Sequence, residues 1–399
     1  MSTTATQRSS RASAAPDRLP WLALLLLTAM GFILVSAETM PAGLLPQIAD
    51  GMRVPEGVVG QFVGVWALGT VVVTVPAIAL TRSLRRKPLL LSAISGLVVA
   101  NSVTAVSDSV PLSLASRFVA GAFTGIIWAM FATYARRISP PEQAGRSLAI
   151  VSSGAPLGFA LGTPLGAWLG TTSDWRWSFG GLTALTVVVL ALIVVAVPDA
   201  PGAAASARLS PGRVLAIPGV AIVLAVIAAW MLAHNTIYTY IAPFLRAGGT
   251  GLGPDLVLFL YGVASLGGIA VTGLCIDRRP RALLRLSVAA FVAAGAVLLV
   301  GHASVAAILV GTVLWGIAFG GASAQLQAAL THVSGEHADV ASSFLPVAFN
   351  VAIFAAGLLG AGLLAAGNAL LLAVVMVALG VVALLLVFAG RRTAFTASR

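Results

Sequence analysis

The sequence predicts an all-α membrane protein, with twelve transmembrane helices in two pseudo-symmetric six-helix halves. Hydrophobic residues make up 59% of 399, charged residues only 9%, and mean hydropathy is +1.02. No soluble core needs that much apolar surface. Apolar runs of about 20 residues, the length that crosses a bilayer core, recur twelve times. The loops between them alternate between arginine-rich and arginine-poor.

Residues 1–19 are rich in Ser, Thr, Ala and Arg and read as a disordered cytoplasmic tail. Span one covers 20–45 and imitates a secretory signal peptide, with V-S-A before Glu38 resembling a cleavage site. Cleavage is out of place ahead of so many further spans, so the run is kept as a helix. Spans two to six follow at 57–80, 88–107, 111–134, 146–170 and 177–197. The stretch 198–216 is Pro/Gly/Ala/Ser-rich and reads as a cytoplasmic linker between an N-terminal half, 20–197, and a C-terminal half, 217–390. Spans seven to twelve cover 217–244, 255–275, 283–301, 304–331, 340–366 and 368–390, before a second cytoplasmic tail, 391–399.

Nineteen Lys and Arg residues fall on the side of the termini, against Arg53, Arg176 and Arg246 on the other. The positive-inside rule places both termini in the cytoplasm. The net charge of +11 is explained by this orientation, and without an aromatic-interleaved basic stripe it gives no sign of nucleic-acid binding. The single cysteine, Cys275, excludes an internal disulfide. Arginine outnumbers lysine 22 to 1, which hints at a GC-rich bacterial genome and so at a bacterial cytoplasmic membrane.

In span five, Gly154, Gly158, Gly162, Gly166 and Gly170 recur every fourth residue, with Pro156 and Pro164 among them. In water each glycine costs roughly 1 kcal/mol against alanine and each proline about 3. In lipid the helix is held regardless, and the glycines leave a groove for a second helix. The run reads as a helix at a moving contact, ordinary small-residue packing being the alternative.

Ionisable residues at membrane depth are functional candidates. Glu38 in span one and Arg117 in span four lie at matching depths with opposite charge, so an ion pair is expected. Burial favours the neutral acid and Arg117 the carboxylate, a balance that suits proton uptake and release; a purely structural pair, or snorkelling to the interface, is the alternative. His234 and Tyr238 share one face of span seven, beside Asn235, and suit hydrogen bonding to a polar organic molecule. A histidine satisfied by a neighbouring helix is the competing reading. Trp128, Gln325 and Asn350 are further cavity candidates. Trp66 and Trp315 line the cavity or pack against lipid, with packing preferred.

The histidines show no H-E-x-x-H order, and no nucleophile elbow, Walker loop or dinucleotide fingerprint is present. The expectation is no enzyme, no metal and no cofactor.

Several stretches resemble the major facilitator superfamily, and most of all its twelve-span drug:proton antiporter family, in the branch of sugar efflux, purine ribonucleoside efflux and chloramphenicol-resistance permeases. These are A-E-T-M-P-A-G-L-L-P in span one, S-R-F-V-A-G-A-F-T-G in span four, G-T-P-L-G-A-W-L-G in span five, H-N-T-I-Y-T-Y-I-A-P-F-L in span seven, and L-W-G-I-A-F-G-G-A-S-A-Q-L-Q with A-F-N in spans ten and eleven. The resemblance implies a monomeric, alternating-access exporter of small drugs, sugars or nucleosides driven by protons, with a cavity lined by spans one, four, seven and ten. It implies that Arg117 belongs to a proton-coupling motif and that the run Gly154 to Gly170 is the antiporter motif. It also implies a gating latch in the loop after span two. That loop departs from the family pattern: Thr81 replaces the acid and Leu84 the glycine, leaving Arg82, Arg85 and Arg86. The second copy keeps Gly273, Asp277 and Arg278. Uptake or facilitated diffusion, and a non-transporting membrane sensor, are the alternative functions.

Overall fold

A computed structural model describes residues 19–81, 83–200, 211–217, 219–392 and 394. The expected tail at 1–18, Arg82, the linker centre at 201–210 and the end at 395–399 lie outside the described residues. The described residues form helices joined by turns, and twelve helices are long and apolar enough to cross a membrane. The first, Trp21–Gly43, runs unbroken through the signal-like V-S-A and is largely buried.

Five spans depart from simple rods. Span one ends at Leu44 and restarts as Leu45–Met52; span seven ends at Tyr240 and restarts as Ile241–Gly248. Pro46 and Pro243 open these short helices, and a proline donates no N–H to the carbonyl four residues earlier. Span five contains a π-helical turn, Gly158–Gly162, between Pro156 and Pro164. Proline and π-turns are the usual causes of a helix bend. Span ten breaks at Gly321, and a short helix, Ala338–Ser342, precedes the main part of span eleven.

The packing repeats after six spans. Span two lies on four, three on four and six, and one on five and six; likewise eight lies on ten, nine on ten and twelve, and seven on eleven and twelve. Small residues set the approach in both sets. A side chain at Gly121 would strike the Trp66 carbonyl, and one at Gly316 the Tyr261 carbonyl. The two sets meet where span two packs on eleven and span five on eight.

Many large apolar side chains are left exposed along the spans, including Leu80, Val106, Val195, Leu274 and Val300. A surface that faces lipid has this character.

Candidate functional site

Arg117 is fully buried in span four. Its Nη2 donates to the Ala37 carbonyl at 2.6 Å and to the Glu38 carbonyl at 3.4 Å, and its Nε donates to the Phe62 carbonyl at 3.4 Å. The indole of Trp66 lies 4.2 Å beneath the guanidinium, a cation–π contact worth about 2 kcal/mol when desolvated. The Ala37 carbonyl is available because Pro41, four residues on, has no N–H to give it. The expected ion pair therefore takes another form. Arg117 grips the span-one backbone at Ala37 and Glu38, and no carboxylate–guanidinium bridge forms. Glu38, 100° further round the helix from Ala37, stays half-buried with its carboxylate outside that grip.

Beside Glu38, Thr39 and Thr163 join spans one and five through a hydroxyl–hydroxyl bond of 2.5 Å. Tyr238 of span seven brings its buried hydroxyl against both threonines. Its ring packs edge-on against Phe159 of span five.

His234, one turn from Tyr238, is 2% exposed. Trp315 donates its indole N–H to His234 Nδ1 at 3.0 Å, so a neutral ring carries its proton on Nε2. Phe319 stacks on the imidazole at 3.6 Å, and Tyr238 and Tyr261 stand 5.3 and 5.6 Å away. A neighbouring helix thus satisfies the histidine. Trp66 and Trp315 are both fully buried, which rules out packing against lipid. Tyr261 and Phe319 belong to this cluster, and neither stood out in the sequence. The i, i+4 spacing of Trp315 and Phe319 is the signal that points to them.

The remaining cavity candidates scatter. Asn235 and Asn350 each donate to a carbonyl of their own helix, Met231 and Pro346. Trp128 packs edge-on against Phe131. Gln325 donates to Thr272 and Ser287 at 2.9 and 3.0 Å, and it lines a cavity of about 270 Å³ with Asp277, Arg281 and His332. That cavity lies at the arginine-rich end, away from His234.

The glycine run faces a different partner from the moving contact expected. Side chains at Gly154, Gly158, Gly162, Gly166 and Gly170 would strike Thr28, Val35, Ser36, Met40 and Leu44 in turn. The glycine face therefore beds span five on span one, within the same half. The contact with span eight uses span five's other side, where Gly262 sits on Ala160.

In the loop after span two, Asp199 from beyond span six takes the place of the missing acid. Its carboxylate accepts from Arg85 Nε at 2.5 Å and from the Lys87 backbone N–H at 2.9 Å. Burial opposes its charge, but these bonds and the Ala200 N–H hold the Asp199 carboxyl below its ordinary range. Arg86 donates its backbone N–H to the Ala200 carbonyl at 2.9 Å. In the second copy, Asp277 and Arg278 are exposed and Gly273 faces open space.

At the end remote from the arginine-rich loops, hydrogen bonds join the halves. The Gly357 carbonyl accepts from Gln61 and from Tyr240, both at 2.8 Å, and Arg246 pairs with Glu56 at 2.7 Å.

Residues 27–357 match the Major Facilitator Superfamily. Over 344 residues the chain is 30% identical to a chloramphenicol efflux pump of Mycobacterium tuberculosis (strain CDC 1551 / Oshkosh), covering 83% of each. It is 29% identical over 267 residues to the transcription regulatory protein OpdE of Pseudomonas aeruginosa, covering 65% of this chain and 66% of OpdE. Among solved structures, a bacterial homolog of the human lysosomal transporter Spinster, inward-facing and unoccupied, superposes with a TM-score of 0.75 at 14% identity. That likeness covers 95% of this chain and 98% of the homolog, and it speaks to the fold.

Proposed function

The chain belongs to the Major Facilitator Superfamily, and from that premise we propose that it is a proton-coupled antiporter exporting small polar or amphipathic compounds. Its family and fold are those of transporters, not enzymes. The two halves, 20–197 and 217–390, joined by 198–216, rock about a site between them and open it to each side in turn. The arginine-rich end and both termini face the cytoplasm of a bacterium, and the protein works in the inner membrane as a monomer. Its partners are substrate, protons and lipid, with no nucleic acid and no cofactor.

One observation supports the reading: Glu38, a half-buried carboxylate residue, lends its backbone carbonyl to a fully buried arginine whose hydrogen bonds go to the backbone. Arg117 favours the carboxylate and burial favours the neutral acid. A change in water access as the halves rock shifts that balance, so Glu38 takes a proton on one side and releases it on the other.

Chloramphenicol is the first substrate to test, on the strength of the mycobacterial relative; sugars and nucleosides follow. Everted vesicles with an imposed proton gradient should accumulate it. Glu38→Gln should lose the response to the gradient while substrate exchange survives. Full gradient-driven accumulation by that variant would refute the coupling role. Counterflow in vesicles of known orientation separates export from uptake or facilitated diffusion.

The likeness to OpdE, a transcription regulatory protein, favours a second reading, a non-transporting membrane sensor. That reading requires saturable binding with no movement of substrate across the vesicle membrane.

A further inference from the structure

Four polar groups close a square where the halves meet, at the end remote from the arginine-rich loops. Span two of the N-terminal half supplies the Gln61 amide and the Gly57 carbonyl. In the C-terminal half, Tyr240 at the end of span seven supplies a hydroxyl, and span eleven supplies the Gly357 carbonyl. Gln61 Nε2 donates to Gly357 at 2.8 Å and to Gly57, on its own helix, at 3.4 Å. The Tyr240 hydroxyl meets the same two carbonyls, at 2.8 Å for Gly357 and 3.4 Å for Gly57, and the Gln61 amide bonds to that hydroxyl as well. Each donor thus faces one carbonyl of its own half and one of the other. Side chains at Gly60 and Gly360 would strike the Tyr240 ring from spans two and eleven, so the fully buried ring fills a slot with one wall from each half. The pair Arg246–Glu56 also crosses the halves, but the Arg246 side chain is 60% exposed and water screens it.

We propose that Gln61 and Tyr240 are positioning residues for transport, forming a latch that holds this end shut and parts without leaving any of its own groups unpaired. When the halves separate, Gln61 keeps the Gly57 carbonyl and Tyr240 keeps the Gly357 carbonyl, both bonds being already present. Only the crossing bonds are given up, chiefly that from Gln61 to Gly357. A stranded buried donor or acceptor would add a desolvation penalty, and the exchange avoids it. The latch therefore biases the equilibrium between the two orientations by about one hydrogen bond and does not lock it. Tyr240 and Gly360 move together in their own half, so Gly60 is the wall that leaves the ring on opening. This assignment rests on the rocking motion proposed above and names the residues that set its resting position.

Distances between spin labels on the purified full-length protein in lipid nanodiscs test it, in a Cys275→Ser background. Ser109→Cys with Ala366→Cys reports across the halves at the latched end, and Ser83→Cys with Glu336→Cys at the arginine-rich end; all four positions are exposed. Gln61→Leu should raise the ratio of wide to narrow populations at the latched end about tenfold, the value of one hydrogen bond at the upper end of its usual range. Gly60→Ala should abolish the narrow population, because its methyl group would collide with the Tyr240 hydroxyl. Alanine is the better helix former, and a cooperative thermal transition reports that this variant is folded. In both variants the arginine-rich end should narrow as the latched end widens. Widening at the latched end alone overturns the proposal, since bonds that merely staple the halves loosen one end without moving the other. Unchanged distances in both variants, beside a background protein that shifts on adding chloramphenicol, overturn the latch and leave the rocking motion standing. Distances fixed in every preparation overturn the rocking motion and the latch with it.

Discussion

Each half interrupts a long helix at the same place. Span one breaks at Leu44 and span seven at Tyr240, and each continues as an eight-residue helix. Six residues before the break stand Glu38 in one half and His234 in the other. One turn before the close-packed Gly121 and Gly316 stand Arg117 and Thr312. The scaffold is shared while the chemistry differs: the N-terminal half holds a carboxylate and an arginine on Trp66, and the C-terminal half an imidazole among aromatic rings. In the function proposed above, charge change belongs to the N-terminal half, and the C-terminal half contributes buried aromatic rings.

The largest effect that tests this contrast comes from Arg117→Met. It removes at least two bonds to a charged donor, each worth about 1.5–3 kcal/mol, so vesicle transport should fall by a hundredfold or more. Arg117→Lys should fare little better, because a point charge cannot span the Phe62 and Ala37 carbonyls together. Trp315→Phe acts in the aromatic half. It leaves buried His234 Nδ1 without a donor, and thermal unfolding should register a loss of about 1–3 kcal/mol while gradient dependence persists.

Smaller effects come from the periphery. Arg85 is largely exposed, so its pair with Asp199 contributes at most about 1 kcal/mol. The sign follows from the lowered Asp199 value. The contribution is complete above the unfolded aspartate range, about 3.9, and is lost as pH falls through the lower folded value. Denaturation against pH should show that acid-side difference between wild type and Asp199→Asn. Thr312→Val should be neutral or slightly stabilising in the same assay, because the Thr312 hydroxyl is buried without a partner and its removal costs no bond.

Much of the fold is legible in the sequence because lipid demands long apolar runs. The ends blur where Pro46, Pro164 and Pro243 break the rods, since hydropathy continues across a break. Glu38 and Arg117 stand out as ionisable residues at depth, but their geometry depends on Pro41 freeing a carbonyl, which charge counting misses. The glycine spacing of span five announces a close helix contact without naming span one as the partner. Asp199 lies far from Arg85 in the chain and near it only after folding. Tyr261 and Phe319 are hidden because an aromatic residue in an apolar span looks the same whether it faces lipid or the site.

The central claim is that protons are exchanged at Glu38. Proton release on substrate addition, followed with a pH indicator in weakly buffered detergent solution, tests it most directly. Wild type should release protons as chloramphenicol binds, and Glu38→Gln should bind the compound and release none. Equal release by the two proteins would place the exchanged proton on another group and contradict the account.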